Sequence, residues 1–171
     1  MTKKEINNIM IMSNSHLSPL VGEPIGVTKF QAFLAISKIL KGKLYWYALK
    51  EAFTMSDNLY NYRVDLKEVF LCKEPNREYL MNKKERDFLA KLPEQITIYR
   101  GMTLQEKESN NFGISWTLDK NIAVFFANEY QRNYSTNYLQ KTIHELTINK
   151  NELIAFFNER KEKEVIYISN N

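Results

Sequence analysis

Residues 93–101 read Pro-Glu-Gln-Ile-Thr-Ile-Tyr-Arg-Gly, and this stretch decides the fold. Ile96-Thr97-Ile98-Tyr99-Arg100 is β-branched and aromatic, the composition of a strand. Before Pro93 the pattern is helical, and after it strands recur. Thr28 is a candidate N-cap for a helix carrying Phe30, Phe33, Leu34 and Leu40. Leu44 to Met55 repeats the period, with Leu44, Tyr47, Ala48 and Ala52 along one face. Ser56-Asp57-Asn58 is a break, Asp65 to Cys72 a third helix, and Asn82 can cap a fourth that ends near Pro93.

Downstream of Arg100, Gly101 is expected to end the strand and residues 103–111 to form a polar loop. Phe112 to Thr117 reads as a second strand and Asp119 to Glu129 as a helix. Asn133 to Asn137 reads as a loop. Lys141 to Ile148, Leu153 to Phe157 and Glu164 to Ser169 are further strands. Helices first and strands after them predict an α+β fold: N-terminal helices, then a mixed, mainly antiparallel β core. The 171 residues suit a single domain, 1–171, with a flexible arm at 1–27, a helical part at 28–92 and a β-rich part at 93–171.

Composition narrows the function classes. Apolar residues make up 44% of the chain, a globular and not a disordered share. Residues 1–91 hold fifteen Lys/Arg against ten Asp/Glu, and residues 92–171 hold nine against ten. The positive excess therefore sits in the helical half, where an acidic partner or nucleic acid could use it. The lone Cys72 cannot staple the fold, and one Cys with two distant His cannot make a four-ligand zinc site, so no metal is expected. His16 and His144 read as structural. Ile9 to Met12 is too short for a signal-peptide core, and no apolar run is long enough to span a bilayer. A cytoplasmic protein without membrane contact is expected.

Three polar features lie at strand edges. Arg100 follows an apolar strand, and its planar fork suits a bidentate grip on phosphate. Gly101 beside it permits close approach of backbone and ligand. In Ser115-Trp116-Thr117, strand alternation puts both hydroxyls on one face and the indole on the other. In Glu162-Lys163-Glu164 the same alternation puts two carboxylates on one face, about 6–7 Å apart. Desolvation of such a pair raises one of the two pKa values. Each feature alone is also an ordinary surface arginine, a half-buried strand or a solvated charge run.

Taken in order, the three resemble the arginine–serine–glutamate class of ADP-ribosyltransferases. The similarity runs over about residues 93 to 169 and is nearest to small phage and bacterial members. It implies NAD as co-substrate, with cleavage at the nicotinamide–ribose bond. ADP-ribose would pass to a macromolecular acceptor, a protein ahead of a nucleic acid, with an arginine side chain as candidate acceptor. An effector directed against host or defence machinery fits that class. Carried over residue by residue, the resemblance makes Arg100 the phosphate and ribose anchor. Ser115 and Thr117 become the ribose-side hydroxyls, Phe126 a nicotinamide-lining aromatic, Glu164 the catalytic carboxylate and Glu162 the acceptor-handling one. Trp116 stands where the family has a threonine. The alternatives are a hydrolase that uses water as acceptor, and a non-catalytic nucleotide-binding or inhibitory module that acts through the basic helical half.

Overall fold

The computed structural model describes residues 1–8, 25–56, 59–128 and 140–169. The chain packs as two compact units, Met1–Asn82 and Lys83–Asn171.

The first unit is helical. Residues 3–8 form a helical turn with Ile6 fully buried, so the expected arm is structured at its start. Of the rest of the proposed arm, residues 9–24 lie outside the described residues, and residues 25–27 are helical instead. Helix α1 spans Ile25–Ser37 and begins three residues before the expected cap at Thr28. Helix α2 spans Gly42–Thr54 and helix α3 spans Arg63–Leu71. Asp57 and Asn58 of the expected break also lie outside the described residues. The buried face of α2 is set by Tyr45, Trp46, Leu49, Ala52 and Phe53, displaced from the face expected for Leu44 and Tyr47. The bulkier aromatics decide that rotation because they remove more apolar surface from water. Phe33, Tyr45 and Trp46 meet edge to face, with ring centroids 5.1–5.4 Å apart.

The second unit opens with helix α4, Lys83–Lys91, and carries a sheet. Strand β1 is Gln95–Thr103, helix α5 Leu104–Ser109, strand β2 Ser115–Thr117 and helix α6 Lys120–Asn128. Strands β3, Lys141–Asn149, β4, Leu153–Phe157, and β5, Glu164–Tyr167, complete it. The expected loop Asn133 to Asn137 and residue Glu129 lie outside the described residues. The five strands run in the order β3-β1-β2-β5-β4, and every pairing is antiparallel. The fold is therefore α+β with a wholly antiparallel sheet, where a mixed one was expected.

Three local features differ from expectation. Gly101 does not end β1, which pairs with β3 along all nine residues, Gly101 standing opposite Ile143. The missing Cβ serves helix packing: one built on Gly101 would lie 2.3 Å from the Ala123 carbonyl oxygen and 2.7 Å from the Ala127 nitrogen of α6. Residues 103–111 are not simply a loop, because Thr103 caps α5 by accepting a hydrogen bond from the Glu106 N–H at 3.1 Å. The second strand is shorter than Phe112 to Thr117, since only Ser115–Thr117 joins the ladder.

Candidate functional site

Register determines which side chains can meet. Tyr99 stands opposite Thr117, and Thr117 opposite Glu164. Residues opposite one another share a sheet face, and the faces alternate along each strand. Thr117, Ser115 and Glu164 therefore share the Tyr99 face, and Gly101 puts α6 on that same face. Arg100 and its cross-strand neighbour His144 lie on the other, with Trp116.

On the first face, the Ser115 hydroxyl donates to Glu164 Oε1 at 2.5 Å. Ser115 pairs with Ile166, so Glu164 is its diagonal neighbour, within reach of a short side chain. The Glu164 side chain is 7% exposed. Burial pushes its carboxyl above the usual carboxylate range, against the opposing pull of Arg160 and the Ser115 hydroxyl. Its other oxygen, Oε2, accepts from Arg160 Nη2 at 3.2 Å. The Nε of the same guanidinium lies 3.1 Å from Glu162 Oε2. Arg160 thus joins the two carboxylates while its own side chain stays 41% exposed.

Alternation does not bring Glu162 and Glu164 together as expected. Strand β5 begins only at Glu164, and Lys163 sits at φ 46° with Lys161 at φ 60°. Those left-handed values cost a residue with a Cβ roughly 1–2 kcal/mol each. They fold the loop after β4 back on itself, and Asn158 holds its base. The Asn158 carbonyl oxygen accepts from Lys161 N at 3.1 Å, and its side-chain Oδ1 accepts from Lys163 N at 3.1 Å. Two left-handed residues and the shared guanidinium do what an extended strand was expected to do.

Thr117 is buried, and its hydroxyl is used locally. It donates to the Glu162 carbonyl oxygen at 2.7 Å and accepts from Asp119 N at 3.0 Å. It therefore ties β2 to the Glu162 backbone. Trp116 points to the opposite face, where its ring packs against Phe112, His144 and Tyr167 and its Nε1 donates to the Gly113 carbonyl oxygen at 3.1 Å. Burial beside these rings lowers the His144 pKa, and the Lys107 charge lowers it further. Phe126 is half-buried on α6, edge-on to Phe125 at 5.5 Å.

Arg100 sits within β1, not at its end. Its Nε donates to Glu106 Oε1 at 2.8 Å, and its Nη1 reaches round to the Ser115 carbonyl oxygen at 2.6 Å. Glu106 Oε1 also accepts from Gly113 N at 2.9 Å. A Cβ on Gly113 would lie 2.4 Å from Arg100 Nη2, so the glycine makes room for the guanidinium. Arg100 Nη2 has no hydrogen bond to a described residue and packs against Gly113.

Three residues of this arrangement escape a reading by strand edges: Glu106, Gly113 and Arg160. The Thr103-x-x-Glu106 spacing signals the start of α5, yet nothing in it says that the Glu106 side chain turns to Arg100. Among the described residues no group of three or more His, Cys, Asp or Glu is arranged to hold a metal ion, and Cys72 is half-buried with a free thiol. No described helix is long and apolar enough to cross a membrane. No protein-family model, no curated protein and no solved structure matches this chain.

Proposed function

We propose that the Lys83–Asn171 unit is an ADP-ribosyltransferase that cleaves NAD at the nicotinamide–ribose bond and passes ADP-ribose to a macromolecular acceptor. The observation that carries this reading is the hydrogen bond from Ser115 to Glu164, 49 positions apart in sequence, on a carboxylate that is almost wholly buried. Losing nicotinamide leaves positive charge on the ribose. A fixed, poorly solvated carboxylate stabilises such charge far better than water does, because it needs no reorganisation. Glu164 takes that role, and Ser115 fixes which way its carboxylate faces. Glu162, at the more open end of the pair, orients the incoming nucleophile and takes its proton. Arg100, expected as the phosphate anchor, lies on the opposite face of the sheet from Glu164 and braces β2 through Glu106 and the Ser115 carbonyl oxygen, so the proposed site does not include it.

Purified protein incubated with NAD and a lysate should release nicotinamide and label an acceptor. Glu164→Gln, which keeps the shape and loses the charge, should lower the rate at least about a hundredfold, the loss that follows removal of one electrostatic stabiliser. Equal rates in the two proteins would remove Glu164 from the chemistry. A second reading, a nucleotide-binding or partner-binding module without turnover, is favoured by one observation: both guanidiniums near the site already have carboxylate partners within the chain. It predicts NAD binding in a calorimetric titration with no nicotinamide released.

A further inference from the structure

Arg160 is the residue whose placement the proposed reaction leaves unexplained. Its guanidinium spans the two carboxylates, Nε to Glu162 at 3.1 Å and Nη2 to Glu164 at 3.2 Å. It reaches them from a loop that turns back through two left-handed lysines, Lys161 and Lys163. Backbone strain of that kind persists only where the surroundings impose it. The Arg160 side chain itself remains 41% exposed, so solvent reaches the cation although the Glu164 carboxylate is buried. A partly exposed guanidinium held by hydrogen-bond geometry between two carboxylates is exchangeable: another fork of the same shape can take its place.

We propose that Arg160 is an internal pseudo-acceptor, its guanidinium filling the place between Glu162 and Glu164 that an alkylguanidinium acceptor takes once Arg160 swings away. This deepens the transferase reading and rests on it, adding a built-in competitor at the acceptor place. Arg160 is then a positioning and gating residue, not a catalytic one. While it is seated, the Glu162–Glu164 pair is closed to an acceptor, and an acceptor of matching shape opens it. A competitor tethered by a short loop acts at an effective concentration in the millimolar range, enough to weaken a weak ligand noticeably without excluding it.

The test is titration of ethylguanidinium chloride into the full chain, followed by calorimetry or protein NMR. Arg160→Gln should bind ethylguanidinium more tightly than the wild type, by about tenfold where the seated Arg160 is favoured about nine to one over the open state. Arg160→Lys retains a cation but not the fork, so its gain should be smaller. Ethylammonium, which lacks the fork, should show no gain in either variant. An arginine-containing peptide run beside ethylguanidinium distinguishes the sources. Tighter binding of the peptide assigns the place to a protein side chain, equal binding to a small guanidine, and both support the proposal.

Equal ethylguanidinium affinity in wild type, Arg160→Gln and Arg160→Lys overturns it, as does binding that survives Glu162→Gln in the Arg160→Gln background. Nicotinamide release from added NAD is measured in parallel on the same proteins. Release with equal affinities removes the pseudo-acceptor and leaves the transferase reading. An affinity gain without release from any sample removes the transferase reading and leaves a guanidinium site.

Discussion

Two guanidiniums in the sheet unit, Arg100 and Arg160, face carboxylates in different ways. Arg100 meets one carboxylate, Glu106, which is 5% exposed and also holds the Gly113 N–H. Its Nη1 is closed off by the Ser115 carbonyl oxygen. Arg160 meets two carboxylates and leaves much of its own surface in water. A buried ion pair whose carboxylate is also satisfied by backbone behaves as a fixed brace, because removing either partner strands the other away from solvent. When the Arg160 contact opens, water reaches the cation and the partly exposed Glu162, while the buried Glu164 keeps the Ser115 hydroxyl, so this contact is easier to break. Similar chemistry therefore makes a structural strut in one place and an exchangeable contact in the other. Burial decides which.

The largest effect is expected at the Arg100–Glu106 pair. Glu106→Ala leaves the Arg100 guanidinium without its carboxylate and the Gly113 N–H without an acceptor. It should destabilise the sheet unit by about 3–5 kcal/mol, read as a lower urea midpoint with an unchanged slope. A loss under about 1 kcal/mol would show that the pair is a surface contact like that of Arg160.

Glu164 gives an intermediate effect with a defined sign. Its folded pKa lies above the ordinary value of 4.5. The folded chain therefore holds that proton more tightly than the unfolded chain does. The stabilisation from this group is complete below about pH 4.5 and is lost as pH rises through the folded value. Glu164→Gln carries no such charge. Its melting temperature should match the wild type below that pH and exceed it at neutral pH, by about 4 °C if the difference is near 1 kcal/mol. A wild type that is the more stable of the two at neutral pH would mean that Arg160 and Ser115 outweigh burial. Smallest is Arg160→Ala, which should change stability by less than about 1 kcal/mol, diminishing further with added salt. A larger loss would make Arg160 a second brace and remove the contrast.

Local pattern reached a good part of this architecture. Leu153–Phe157 is a strand with the ends read for it, because a short apolar run between polar turns has little choice. Arg63–Leu71, Lys83–Lys91 and Lys120–Asn128 fall within a residue or two of their expected spans, since helical period and polar breaks are local signals. Trp116 lies opposite to Ser115 and Thr117 as alternation requires. The misses have a common cause. Gly101 reads as a stop by residue type, yet its missing Cβ admits α6, a fact about a helix some twenty residues further on. The short α5 was lost because six residues give little periodicity, and its capping pair is as common in turns.

By itself, then, the sequence determined the class of most elements, the α+β order and the residue types from which a site could be assembled. Periodicity and turn chemistry act over a few residues and are written locally. Tertiary structure alone decided who meets whom. Sheet register set Ser115 diagonal to Glu164 and put Arg100 on the other face. A loop with two left-handed residues joined Glu162 to Glu164 through Arg160. Those meetings span up to 49 positions of chain. They depend on register, burial and backbone strain, which arise only when the whole sheet closes.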